Sequence, residues 1–318
     1  MPIDSLADLS FQECLRILEG RDLDTRELVG AAYCQRTAHF GKQLSVHMIN
    51  NAHNGHCSED CRYCVQSRDS RASLVNEGAK SEDAIVREAV RASRQGAGCY
   101  GIVFSGRALF QERLKKVSAV VRKIKEETAL KVCVSAGFVD REQSIALKEA
   151  GVDRLHHNLN TSENFYPQIC TTHSYADRIR TVEACNAVGL PVCSGLIVGM
   201  GESSEDIVST AMRLKELGVT CVPVNFYIPL EGSTLGERPR LSVDYCLRVL
   251  CLFRLINPRA ELCLAAGREL YLRTVQPLVL QIVDGIFMNG YLNVSGDERD
   301  DVLEIAQQFG FSIVQEPR

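Results

Sequence analysis

Cys57, Cys61 and Cys64 stand in the run His56-Cys57-Ser58-Glu59-Asp60-Cys61-Arg62-Tyr63-Cys64, with the spacing C-x3-C-x2-C. Three thiolates in one flexible loop can bind three corners of a four-iron, four-sulfur cube, [4Fe–4S], and leave its fourth iron open to a small molecule. A structural zinc ion wants four ligands, and His56 or His53 can supply the fourth, so zinc is the rival reading. The chain holds fourteen cysteines in 318 residues, with an ordinary hydrophobic content of 45%. Cysteines at short regular spacing in such a chain point to metal binding or catalysis rather than to a disulfide framework. Cys14, Cys34, Cys170, Cys185, Cys246 and Cys251 lack that spacing and are read as small buried hydrophobes.

The elements that must position the loop alternate. Candidate strands are Leu44–Ile49, Cys99–Ser105, Lys131–Ala136, Arg154–Asn158, Val192–Val198, Cys221–Ile228, Leu262–Ala266 and Gly285–Met288. Helical periodicity fills the intervals at Ser81–Arg94, Leu109–Glu127, Arg141–Ala150, Ser174–Val188, Glu205–Leu217, Val243–Ile256 and Leu270–Ile282. Gly151, Gly189 and Gly218 each close a helical run before a strand, as left-handed C-terminal caps do. Strands alternating with helices predict a parallel sheet, and their number favours an α/β fold of the (β/α)8 TIM type over an open doubly wound sheet. The cysteine loop follows the first strand, at the mouth where such barrels carry their chemistry. Residues 1–40 read as a helical extension outside a single barrel domain, 41–318. The tail from about Asp297 reads as a final helix and a short apolar end.

The formal net charge of −4 gives no electrostatic case for nucleic acid. Basic runs such as Arg122-Lys123-Ile124-Lys125 have helical spacing and read as solvated faces. No apolar run reaches the ~18 residues that a bilayer span needs. The N-terminus, Met1-Pro2-Ile3-Asp4, lacks a basic segment followed by an apolar block, so no secretory signal is expected and a cytoplasmic location is.

The cysteine spacing, with Tyr63 before the third cysteine, resembles the radical S-adenosylmethionine superfamily. More specific are Cys57–Gln66, Val132–Gly137, His157–Ser162, Phe165-Tyr166, Thr171–Tyr175, Val192–Glu202, Val222–Asn225 and Leu264–Glu269. Together, over roughly residues 40 to 310, these are similar to the biotin synthase family. The resemblance implies a sulfurtransferase that converts dethiobiotin to biotin. There S-adenosylmethionine chelates the open iron, one electron cleaves it to a 5′-deoxyadenosyl radical, and an auxiliary iron–sulfur cluster donates the sulfur. It also implies that Asn158 touches both S-adenosylmethionine and dethiobiotin, and that Asn225 bonds the ureido ring. Arg178 matches the arginine that meets the S-adenosylmethionine carboxylate. Asn160, matched to a ribose contact, replaces the family's usual acidic residue.

The second metal site departs from the family pattern of three cysteines and one arginine. Cys133 and Cys193 match two of those cysteines, the third falls on Gly101, and the arginine falls on Cys263. Side chains at i and i+2 share a strand face, so Cys99 faces the lumen with Gly101, about 6.6 Å nearer the barrel bottom. Cys99, Cys133, Cys193 and Cys263 can then converge, and four thiolates suit a cluster with every corner held by protein. A four-iron auxiliary cluster, carrying an extra sulfide as sulfur donor, is the expected form; a [2Fe–2S] cluster on four cysteines is the alternative. Cys221 shares parity with Asn225 but lies about 13 Å deeper along its strand, and reads as structural.

The runner-up function is a radical S-adenosylmethionine maturase or isomerase acting on another small substrate. A third reading is a non-catalytic zinc or iron–sulfur protein. The resemblance further implies an electron donor such as flavodoxin or ferredoxin, and a homodimer.

Overall fold

The computed structural model describes residues 9–21, 23–74, 78–288, 290–291 and 301–314. Gln43–Asn54 is the first barrel strand, followed in the ring by Cys99–Phe104, Lys131–Ser135 and Arg154–His156, all in parallel. Val192–Cys193 and Leu196–Val198 then share one position beside Cys221–Phe226, and Glu261–Leu264 and Gly285–Met288 follow. The last strand pairs in parallel with the first, Ser45 opposite Gly285, and closes the ring. The (β/α)8 architecture is the one the alternation predicts. Strands covered on both faces must be apolar almost throughout, and Cys221–Phe226 and Glu261–Leu264 are buried at nearly every residue.

The structure departs from the sequence reading in three places. The strand expected over Val192–Val198 is interrupted at Ser194 and Gly195. There the backbone passes so close to the next strand that a Cβ on Gly195 would come within 1.9 Å of the Pro223 carbonyl oxygen. The helix expected over Leu270–Ile282 is split into Arg268–Tyr271, a 3-10 turn at Arg273–Val275, and Gln276–Leu280. Pro277 has no N–H to continue the first piece and instead starts the last. A short helix at Tyr166–Ile169, absent from that reading, delivers Cys170 to the barrel mouth.

Other helix starts are fixed locally. Ser174, Ser203 and Asp140 each form a capping box, with Asp177, Asp206 and Gln143, of a kind in which the cap alone contributes about 1 kcal/mol. The N-terminal helices Phe11–Glu19 and Thr25–Phe40 pack on Val243–Ile256, and that outer helix is consequently buried at every residue from Cys246 to Ile256. Buried Arg36 donates to the carbonyls of Val283 at 2.9 Å and Gln43 at 2.7 Å, and its Nε lies 3.6 Å from Asp284. It ties the extension to the barrel floor. At the other end of the chain, Asp301–Gln308 is helical and Ser312–Val314 pairs with Gln43–Ser45; the parts of the expected tail at 297–300 and 315–318 lie outside the described residues.

Candidate functional site

The first strand runs into the cysteine loop, which is folded by its own backbone. Cys57 N–H donates to Gln66 O at 2.7 Å, and Cys64 N–H donates to Cys61 O at 3.0 Å. Cys61 is buried, while Cys57 and Cys64 are half-buried. Burial pushes the Cys64 thiol up. Neither histidine of the zinc reading gathers with two of the loop's cysteines within 4.8 Å: His56 is exposed, and His53 Nδ1 is 2.5 Å from Ser105 Oγ. Among the described residues, the trios of potential ligand atoms gathered within 4.8 Å are Cys61–Cys170–His173, Cys133–His156–Cys193 and His47–Glu261–Cys263. The trio Cys57, Cys61 and Cys64 is more open than a single ion needs, as suits thiolates that each hold a separate iron of one cube.

Cys170 is no filler. Its Sγ stands 3.7 Å from Cys61 Sγ, 3.2 Å from Asp60 Oδ1 and 3.3 Å from His173 Nδ1. Asp60 draws the two segments together by accepting from the N–H groups of Thr171 at 2.9 Å and Thr172 at 3.1 Å. Burial would raise the Asp60 carboxyl, but the bond from the Thr171 hydroxyl, with these two and that from Cys170, outweighs it and holds it well below the usual carboxylate range. The hydrogen bond from Cys61 pulls Cys170 down, and the same bond pushes Cys61 up. Cys34 is also not buried filler, because it is exposed. Cys14, Cys185, Cys246 and Cys251 do lie in the core, where burial pushes Cys14 up to about 11 and Cys246 up to about 12.

Inside the mouth lies a cavity of about 280 Å³ whose wall includes Tyr63, Cys64, Asn158, Asn160 and Asn225. Asn158 Oδ1 accepts from Gly195 N–H at 2.9 Å, which leaves its amide nitrogen to the cavity. Asn160 sits at φ 70°, a left-handed conformation that Asn tolerates, and donates to Tyr63 Oη at 2.7 Å. Asn225 bridges two strands, donating to Leu196 O at 3.1 Å and accepting from Ala266 N–H at 3.2 Å. One N–H and one lone pair of that amide remain for a ligand. Arg178 stands behind the wall, donating to Asn158 O at 2.9 Å, Tyr63 Oη at 3.3 Å and the Tyr166 hydroxyl. Glu202 accepts from Gly199 N–H at 2.6 Å and Met200 N–H at 2.7 Å and so fixes the turn after Val198.

Below lies a second cavity of about 50 Å³, lined by Cys99, Cys133, Cys193, Cys221, His156 and Arg154. Cys263 completes this cluster of buried thiols. The four cysteines expected in the auxiliary site therefore do face one lumen. Cys221 faces it too, contrary to its reading as a structural residue set apart: it pairs with Cys193 in register, and its Sγ is 3.7 Å from Cys263 Sγ. Cys221 is pulled down, first by the hydrogen bond from Cys193 and then by that from Cys263. Arg154, His47 and Glu261 floor the chamber. His47 Nε2 is 3.0 Å from Glu261 Oε1 and 3.5 Å from Cys263 Sγ, and Arg154 pairs with the same carboxylate. Burial alone would raise Glu261, but His47 and Arg154 outweigh it and keep it ionised. His156 lies 3.4 Å from Cys193 Sγ, with burial holding its imidazole down to about 4 and so neutral. Thiols in an apolar chamber with cationic partners below fit an anionic iron–sulfur cluster.

The Radical SAM superfamily model matches residues 52–214, and the Biotin and Thiamin Synthesis associated domain matches residues 223–312. The biotin synthase of Acaryochloris marina is 43% identical over 302 residues, covering 95% of this chain and 87% of the relative. That of Magnetococcus marinus is 42% identical over 302 residues, covering 95% and 94%. Among solved structures, an FeFe-hydrogenase maturase from Carboxydothermus hydrogenoformans superposes with TM-score 0.84 at 18% identity, covering 98% of this chain and 77% of that one. Methylornithine synthase superposes with TM-score 0.82 at 17% identity, covering 98% and 97%. These two share the fold. The sequence relatives and both domain matches go further: the chain belongs to the biotin synthase family of the radical S-adenosylmethionine superfamily.

Proposed function

We propose that this chain converts dethiobiotin to biotin, drawing sulfur from an auxiliary four-iron cluster held by Cys99, Cys133, Cys193 and Cys263. The observation that carries the reading is the stacking of the two cavities. Ile49, Val103, Ser135, His156 and Phe287 line both, so the upper chamber beside Cys64 rests directly on the thiol-lined chamber below. A small substrate in the upper space lies between the two metal levels.

When bound, the upper cluster with S-adenosylmethionine supplies a hydrogen-abstracting radical, and the lower cluster supplies sulfur. The protein's part is to place and shield. Cys57, Cys61 and Cys64 hold the upper cluster, and Arg178 sets Tyr63 and the Asn158 carbonyl around it. Asn158, Asn160 and Arg178 serve S-adenosylmethionine, while Asn158 and Asn225 hold the ureido group through the amide capacity they retain. Apolar Ile49, Val103 and Phe287 keep water from the space between. A flavodoxin- or ferredoxin-type donor supplies the electron, and the active form is a homodimer in the cytoplasm. Among the described residues no helix is long and apolar enough to cross a membrane.

Anaerobically reconstituted protein is expected to form biotin from dethiobiotin, measured by mass, and to carry about eight irons per chain by Mössbauer analysis. Accumulation of 5′-deoxyadenosine without biotin would overturn the substrate. About six irons would give the [2Fe–2S] alternative, and about four would remove the auxiliary cluster.

A further inference from the structure

We infer that Cys61, Cys170 and His173 form a mononuclear site for a borderline-soft divalent cation, ferrous iron or zinc, in the protein before its upper cluster is built. All three side chains are buried at the barrel mouth, and none of the roles assigned above uses Cys170 or His173.

The argument is geometric. A tetrahedral ion with metal–sulfur bonds of about 2.3 Å sets two thiolates about 3.8 Å apart, and a thiolate and an imidazole nitrogen about 3.5 Å apart. Cys61 Sγ and Cys170 Sγ are separated by 3.7 Å, and His173 Nε2 stands 3.6 Å from Cys170 Sγ and 4.0 Å from Cys61 Sγ. Those spacings form one face of a tetrahedron. Glu59 fixes the tautomer of His173: its Oε2 lies 2.6 Å from Nδ1, so a proton on Nδ1 is donated there and the lone pair sits on Nε2; Cys170 Sγ is also 3.3 Å from Nδ1, so the imidazole turns to aim that lone pair at the ion. Glu59 is held in turn by Arg107, 3.3 Å away. Arg178 Nη2, 3.2 Å from His173 Nε2, gives up that contact when the ion arrives. Two sulfurs and one nitrogen suit zinc and ferrous iron and disfavour magnesium or calcium, which take oxygen.

Cys61 is shared, so one ion here and a complete upper cluster exclude each other; that clause alone rests on the proposed cluster ligands. Cluster-free full-length protein, titrated anaerobically with Co2+, should show tetrahedral thiolate–cobalt absorption. Cys170→Ser and His173→Gln should each lose one equivalent or bind it at least tenfold more weakly, while Cys57→Ser and Cys64→Ser titrate as the wild type does. Lumenal thiols contribute equally to every variant, so the difference reads this site. Zn2+ and Fe2+ are then compared as displacing ions, and failure of both to displace the cobalt overturns the inference. So would wild-type titration by both the Cys170 and His173 variants, or the same loss in Cys57→Ser. One equivalent of Zn2+ should also slow reconstitution of the upper cluster in the wild type and not in Cys170→Ser. If cobalt binds as expected without that slowing, the assignment of Cys61 to the cluster fails and the ion site stands.

Discussion

The sulfurs of Cys221 and Cys263 stand 3.7 Å apart although the strand register sets Pro223, not Cys221, opposite Cys263. The lower chamber therefore holds one thiol more than a cluster with four protein ligands uses. With Cys99, Cys133, Cys193 and Cys263 as ligands, Cys263→Ser should remove the auxiliary iron while Cys221→Ser keeps it. Iron and acid-labile sulfide per chain decide this. Loss in Cys221→Ser with retention in Cys99→Ala would redraw the quartet.

Cys99 and Gly101 share a face of their strand, and a Cβ on Gly101 would meet nothing nearer than 3.7 Å. A cysteine therefore has room there. Cys99→Ala should lose the auxiliary cluster, and Cys99→Ala with Gly101→Cys should regain one, followed by Mössbauer spectra. A full iron complement in Cys99→Ala would show that Cys99 is no ligand.

Gly285 matters for what it lacks. A Cβ there would lie 2.5 Å from Cys263 Sγ and 3.0 Å from His47 Nε2. Gly285→Ala should lower auxiliary iron several-fold with the upper cluster intact, at a folding cost of about 1–3 kcal/mol from overpacking. Unchanged occupancy at both levels would show that the thiol moves aside freely.

Asn225 spends half of its amide on Leu196 and Ala266. Asn225→Ala should raise the KM for dethiobiotin about tenfold, or about 1.4 kcal/mol, with a smaller effect on kcat. Anaerobic initial rates across substrate concentrations separate the two. A change in kcat alone would assign Asn225 to the wall rather than to the ligand.

Arg36, buried against Asp284, carries no chemistry. Arg36→Ala leaves that carboxylate short of one cationic partner and should cost about 3–5 kcal/mol in urea unfolding of the cluster-free protein. A loss below about 1 kcal/mol would mean that Arg254, which also pairs with Asp284, suffices.

The barrel was legible in the sequence because most ring strands are short apolar runs bounded by turn residues; strand period placed Cys99 in the lumen, while Cys133, Cys193 and Cys263 were placed by the family resemblance. Cys221 was misplaced because counting depth along its own strand ignores the stagger between neighbours: in register it lies opposite Cys193. Cys170 and His173 were missed for another reason. They follow a short helix with no periodic signal and meet Cys61 across 109 and 112 positions of chain. A contact of that kind is created by ring closure and leaves no local trace. The split around Pro277 was visible in principle, since proline at the start of a helical turn breaks what precedes it.

Closing Gly285–Met288 onto Ser45–Met48 also sets an order of events during synthesis. The cysteines at 57, 61 and 64 precede the last ring strand by more than 200 residues, so the upper loop can leave the ribosome before that strand is made. The lower chamber has no complete wall until residue 288 is made and docked. On the proposed ligand assignment, iron reaches the deeper thiols only once that strand has docked, and a chain stalled before it can hold at most the upper cluster.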